Sequence, residues 1–277
     1  MTLDASALVL CAGTMANTRL VDRIEPTAAA GFGGLSVFTT DISEADALGT
    51  SISEIRSRIE DAGLSVAEVD PLSKWFPSAV GGDGDGLLGS TEAEILGIAS
   101  DINARSITAV VFATSPPSQN ELIESFAGLC ERAAVYELQV HLEFIPFTPV
   151  RTLLDALTIV AAADRPNGGI MLDAWHLCRS GGSAKDVELA ARRIFGVQLD
   201  DASDGAEDDP VAETMHRRLL PGEGVAGVPE IIRALRKGGS TAPLGVEVFS
   251  DTLAALEPGE VAKRAYRAVS ECVAKSR

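Results

Sequence analysis

Eight short apolar, β-like runs recur along this chain, each followed by a longer amphipathic stretch, and that rhythm restricts the fold more than any single motif. The runs are ALVLC from Ala7, GLSVF from Gly34, LSVAEVD from Leu64, ITAVVFA from Ile107, LQVHLEF from Leu138, GIMLD from Gly169, GVQLD from Gly196 and LGVEVF from Leu244. Between them SISEIRSRIEDAG, NELIESFAGLCERAAVYE, PVRTLLDALTIVAAAD and AKDVELAARRIF place apolar residues at helical spacing. A last helix, PGEVAKRAYRAVSECVAKS, opens with Pro258, which is tolerated in a first turn because no carbonyl there awaits its missing N–H. Repeated βα units build either an open doubly wound sheet or a closed barrel. The open sheet usually carries a glycine-rich nucleotide loop after its first strand, and CAGTMANTRL lacks G-x-G-x-x-G. Eight regular units in 277 residues therefore predict an α/β fold of the closed (β/α)8 type, one domain over 1–277. Two stretches read as long βα loops: KWFPSAVGGDGDGLLGS after the third strand, and the segment from DDASDGAEDDP to RRLLPGEGV after the seventh.

The balance of 40 Asp and Glu against 23 Lys and Arg gives a net charge of −17 at pH 7. Such a field repels phosphate backbones and anionic lipid, so the expected partner is a small molecule, with no nucleic acid and no membrane. Cys11, Cys130, Cys178 and Cys272 stand far apart without zinc or redox spacing, which predicts free thiols in a reducing compartment. MTLDASALVLCAG has no basic leader, and no apolar run approaches the ~18 residues of a membrane span. A cytoplasmic location is expected.

Chemistry in a barrel of this type sits at the C-terminal ends of the strands. The fifth strand ends in Glu143, the sixth in Asp173 and the seventh in Gln198, and the eighth carries Glu247. Any one of these alone reads as a helix cap or a surface residue. Asp173, at the lip of the apolar Ile170-Met171-Leu172, needs compensation, because an unpaired desolvated charge costs several kcal/mol. Carboxylates gathered in one mouth repel each other unless they are protonated or neutralised by a cation. Four oxygen donors suit one hard divalent ion, Mn2+ or Mg2+, better than zinc.

The same residues carry a family resemblance. HLEF around Glu143, LDAWH from Leu172, VQLDDA from Val197, HRRLLPGEG from His216, GVEVFSD from Gly245 and AAAGFGGLSVF from Ala28 together resemble the xylose isomerase-like TIM barrels, the sugar phosphate isomerase/epimerase superfamily. The resemblance implies that Glu143, Asp173, Gln198 and Glu247 hold one metal ion and that Glu143 and Glu247 form the proton-transfer pair. It aligns Arg218 with a substrate-contacting arginine and implies a homodimer. Many relatives have His where this chain has Gln198; the glutamine, with the D-x-x-H of Asp173 and His176, is similar to the dehydroshikimate dehydratase branch. That branch places an arginine after its third strand to grip a substrate carboxylate, whereas VDPLSKWFP has Ser73 there, and IPFTPV after the fifth strand also lacks a basic residue.

Further candidates stand beside these. His176 reads either as a catalytic, substrate-polarising group or as a structural histidine beside Trp175; His141 as a buried, hydrogen-bonded residue one layer below the metal. Trp75, with Phe76, Phe144 and Phe147, reads as a substrate wall or as loop packing, and His216 opens the loop that carries Arg217 and Arg218. PGEG from Pro221 reads as a turn, and DDASDGAEDDP as a solvated loop rather than a second metal site. Only three histidines are present, too few for the tri-zinc endonuclease relatives. The expected activity is isomerisation or epimerisation of a sugar-like hydroxy-ketone, a keto-sugar or cyclitol, through an enediolate. A metal-dependent lyase and a non-catalytic metal- or polyol-binding barrel are the alternatives.

Overall fold

The computed structural model describes residues 3–80 and 86–277. Residues 81–85, within the long loop expected after the third strand, lie outside the described residues, as do residues 1–2 of the N-terminal stretch. All eight apolar runs form strands: β1 (Leu8–Leu10), β2 (Gly34–Phe38), β3 (Ser65–Leu72), β4 (Ser106–Ala109), β5 (Gln139–Glu143), β6 (Gly168–Asp173), β7 (Ile194–Leu199) and β8 (Leu244–Val246). Each pairs in parallel with its sequence neighbour, and β8 pairs with β1, so the sheet closes into a barrel. No edge remains to be covered.

The period-two alternation of a strand decides what faces where. On β5, Val140 and Leu142 enter the large apolar core between barrel and helices, leaving Gln139, His141 and Glu143 to point to the barrel interior. On β6 and β7, Ile170, Leu172, Val197 and Leu199 do the same, which turns Asp173 and Gln198 inward. Each such fully buried aliphatic side chain contributes about 1.5–3 kcal/mol, so a slip of one residue that reversed the faces is strongly disfavoured.

The helices form the outer layer and begin where the sequence supplies a cap. Ser51 accepts from Glu54 N at the start of Ile52–Asp61, and Ser118 accepts from Glu121 N before Gln119–Ala134. Thr91 with Glu94 and Thr152 with Asp155 make reciprocal capping boxes before Glu92–Asp101 and Leu153–Ala163. The final helix runs over Pro258–Lys275 with its proline in the first turn. Among the described residues no helix is long and apolar enough to cross a membrane, and all four cysteines are free.

Inside the barrel two glycines are required by close approach. A Cβ at Gly196 would lie 2.5 Å from His141 Nδ1, and one at Gly245 would lie 2.6 Å from Val197 O and 2.7 Å from Cys11 Sγ. The missing side chains make room for a buried polar layer beneath the mouth.

The loop after β7 corrects an expectation. The run 200–210 is solvated only in part, because Asp200 and Asp201 are buried. Asp201 accepts from Gly222 N at 2.9 Å and Ala226 N at 2.7 Å, and so fixes the turn at Pro221–Gly224. Asp209 caps the helix Pro210–His216. Asp201 and Asp209 thus each accept from backbone amides and order the loop.

Candidate metal centre

Glu143, Asp173, Gln198 and Glu247 come together as strand neighbours. Asp173 on β6 is in register with Gln198 on β7, and Gln198 with Gly245 on β8. Glu247 follows the last residue of β8, and its N–H donates to Leu199 O at 3.1 Å, which holds it against β7. All four side chains are buried. Two buried acceptors among them, Gln198 Oε1 and Glu247 Oε1, have no hydrogen-bond partner.

Asp173 does two jobs. Its Oδ1 accepts from His176 N at 2.7 Å, capping the helix Ala174–Arg179, as a lone polar residue at a strand end commonly does. Its Oδ2 accepts from Arg218 Nη1 at 2.6 Å. The cap swings His176 back over the mouth, where Nε2 lies 3.3 Å from Glu143 Oε1 and 3.9 Å from Asp173 Oδ2. Glu143, Asp173 and His176 present ligand atoms that all fall within 4.8 Å of one another. His176 Nδ1 has no partner, and the ring packs edge-on against Trp175 and Phe144.

Arg218 supplies Asp173 with a counter-charge from the protein itself. Its Nη1 donates to Asp173 Oδ2 and Asp200 Oδ2, both at 2.6 Å, and Nη2 and Nε donate to Thr214 Oγ1 and Thr214 O at 2.7 and 2.9 Å. The guanidinium stacks between Trp175 and Phe249, 5.7 and 5.3 Å from their centroids. Arg218, expected on the substrate, donates to protein groups in this structure. Burial disfavours its charge, but Asp173 and Asp200, with Glu247 and Glu143 behind them, hold its pKa above the ordinary value. Asp200 is pushed well up by burial and by Asp173, against the pull of Arg218. Burial likewise lifts Glu247 well above the usual carboxylate range, opposed by Arg218 and reinforced by Glu143 and Asp173.

Two other candidates stand elsewhere. Trp75 is core, not wall: it is buried, its Nε1 donates to Val110 O at 2.7 Å, and it packs edge-on against Phe76 and Phe126. His216 is exposed, with Nδ1 3.0 Å from Asp251 Oδ1, and lines a cavity of ≈ 290 Å³ with Phe38 and Phe249. Arg217 pairs with Glu207 on the surface. Phe144 is buried against His176, and Phe147 is exposed.

One layer down, His141 is fully buried, but neither ring nitrogen has the hydrogen bond expected of it. Burial, and after it the nearby Arg105, push its pKa well below the ordinary value and keep it neutral. Glu68 on β3 stands 3.9 Å from His141 Nδ1 and 3.7 Å from Cys11 Sγ. Burial raises it to about 7, with Arg105 opposing and Glu143 adding. Glu68 and Asp70 were not among the residues the sequence singled out. Their spacing of two, the same as that of His141 and Glu143, was the available signal.

A family model described as "Xylose isomerase-like TIM barrel" matches residues 24–272. The 3-dehydroshikimate dehydratase of Pseudomonas aeruginosa is 28% identical over 235 residues, covering 84% of this chain and 36% of that protein. The inosose isomerase of Halalkalibacterium halodurans is 34% identical over 151 residues, covering 53% of this chain and 52% of that one. The match thus spans about a third of the dehydratase and about half of the isomerase. The crystal structure of the IolI protein with a binding zinc atom superposes with a TM-score of 0.83 at 20% identity, covering 98% of this chain and 99% of that one, a likeness of fold.

Proposed function

The chain belongs to the xylose isomerase-like TIM barrel family, and from that premise we propose a divalent-metal-dependent isomerase or epimerase that moves a proton on a sugar-like hydroxy-ketone, a keto-sugar or cyclitol. The observation that carries this reading is the pair of buried, unpartnered acceptors, Gln198 Oε1 and Glu247 Oε1, beside Glu143 and Asp173 in one mouth. A buried acceptor left unmade costs about 1–3 kcal/mol, and a cation among the four would satisfy both. Engagement with Arg218 and His176 N does not disqualify Asp173, since each carboxylate oxygen has a second lone pair. The donor set fits a hard ion, Mn2+ or Mg2+. His176, close to Glu143 and Asp173, would soften the set, and the IolI protein binds zinc, so zinc belongs in any titration.

When bound, the ion supplies Lewis-acid stabilisation of negative charge on adjacent substrate oxygens. The protein's own groups do the rest. Glu143 on β5 and Glu247 after β8 stand on separate arcs of the barrel, so one can take the proton α to the carbonyl while the other returns one. His176 Nε2, at 3.3 Å, orients Glu143; Arg218 holds Asp173 in place through the bridge to Asp200. Burial of the mouth keeps water from the carbanion. We place the protein in the cytoplasm, as a homodimer acting on a small molecule, away from nucleic acid and membrane.

One observation favours a second reading, a lyase that abstracts the same proton and expels a β-hydroxyl: the dehydratase match extends over 84% of this chain, the isomerase match over 53%. The test begins with elemental analysis of protein purified without chelator, beside Gln198→Ala and Glu247→Gln. Near-stoichiometric metal, lost in the variants, supports the site. Solvent deuterium entering the α-position of a keto-sugar or inosose then supports the isomerase, and new ultraviolet absorbance from water loss supports the lyase. Absence of metal, and of any thermal shift on adding Mn2+, Mg2+ or Zn2+, would remove the catalytic assignment.

A further inference from the structure

We propose that Asp70 is a specificity-determining residue that binds a substrate hydroxyl and bars substrates carrying a carboxylate or phosphate on that side of the mouth. The proposal rests on the proton-transfer site proposed above and names the substrate class that site would take.

Asp70 lies two residues beyond Glu68 on β3, on the same face of the strand. Glu68 reaches Cys11, just past β1, and His141 on β5, and so lies inside the barrel; Asp70 therefore points inward one step closer to the mouth. It is 4% exposed, and its Oδ1 has no hydrogen-bond partner. A buried carboxylate oxygen left unsatisfied costs free energy that an apolar residue of similar size would not, so a packing role does not account for it. Burial first, and then the acidic groups Glu247, Glu68, Glu143 and Asp41, push the Asp70 carboxyl well above the usual range. Its orphaned oxygen thus faces the same space as the proton-transfer pair.

Among the described residues, Arg218, Arg23 and Lys74 already donate to protein acceptors, which leaves an anionic substituent short of a protein counter-charge on this side. Arg218 is engaged by Asp173 and Asp200, Arg23 by Asp41, and Lys74 donates to Gly89 O at 3.2 Å. The serine at position 73 donates to Leu88 O at 3.1 Å and brings no charge. A carboxylate or phosphate brought here would have to give up its hydration beside a cluster of acidic groups in a low dielectric, whereas a hydroxyl satisfies the orphaned oxygen whether Asp70 is ionised or protonated. Rejection by a buried unpaired group is a strong form of discrimination.

The test compares inosose, an uncharged polyhydroxy-ketone, with 3-dehydroshikimate, a ring ketone bearing a carboxylate. Affinity is read by calorimetry on Mn2+-loaded protein, and α-proton exchange by deuterium incorporation. Wild type is expected to bind inosose at least tenfold more tightly. Asp70→Asn, nearly isosteric, should narrow that ratio by about tenfold through better binding of the carboxylate ligand, and Asp70→Ala should raise the inosose KM several-fold with kcat little changed. Equal or reversed preference in wild type, or a ratio unmoved in Asp70→Asn, overturns the proposal. Selective binding without exchange would sink the proton-transfer reading and leave Asp70 as the discriminator; exchange without selectivity would do the opposite. Binding of neither ligand overturns both.

Discussion

Replacing Glu68 by glutamine should make the protein more stable at neutral and alkaline pH than the wild type. The carboxyl group sits inside the barrel with 5% exposure, and burial raises its pKa from 4.5 to about 7. The neighbouring imidazole offers no compensating charge, since His141 is itself held neutral by burial. Below the unfolded value of 4.5 both states carry the proton, and Glu68 costs nothing. Between 4.5 and about 7 the unfolded chain releases its proton while the folded one keeps it, so stability falls as pH rises; above about 7 the loss levels off. A tenfold change in proton affinity is worth roughly 1.4 kcal/mol, which puts the total loss at about 3 kcal/mol. Glu68→Gln keeps the shape and removes the titration. Urea unfolding of metal-free wild type and variant, with m held as a check on two-state behaviour, should show near-equal stability around pH 5 and a variant advantage approaching ~3 kcal/mol around pH 8. Taking the difference between the two proteins cancels the other buried acids. A difference that stays constant with pH, or grows toward acid, would show that Glu68 is charged in the fold and refute the reasoning.

Arg218→Met leaves Asp173 and Asp200 buried without their shared guanidinium and should cost about 3–5 kcal/mol in denaturant unfolding; a loss below ~1 kcal/mol would mean that the carboxyls are neutral as a pair. Trp75→Phe removes the hydrogen bond to Val110 O and should lower stability by about 1 kcal/mol while leaving KM unchanged, whereas a raised KM would restore Trp75 to the substrate wall. Gln198→His exchanges an amide oxygen for an imidazole and should shift metal preference toward zinc by tenfold or more in competitive titration; an unchanged preference would place residue 198 outside the coordination shell.

Much of the fold was legible because strand and helix periods are local properties of the chain. GIMLD and GVQLD announce strands by their apolar runs, and the capped, amphipathic stretches between them announce helices. The rim positions of Glu143, Asp173, Gln198 and Glu247 were legible for a related reason: position at a strand end fixes the face, and a barrel brings all such ends to one rim. Trp75 was not, because an aromatic residue just past a strand can turn either way, and the carbonyl of Val110, just past β4, decides it. His216 faces outward for a similar reason, its partner Asp251 belonging to the segment after β8.

By itself, then, the sequence determined the order of the eight units, their faces and the oxygen-rich rim, since these follow from a two-residue period and a short apolar run. Only the tertiary structure decided which charge answers Asp173, that Glu68 and Asp70 share the interior with the rim, and that His141 goes without a hydrogen bond. Those outcomes depend on side chains far apart in sequence, Asp173 and Arg218 among them, that meet only once the barrel has closed, and burial then sets the terms on which they meet.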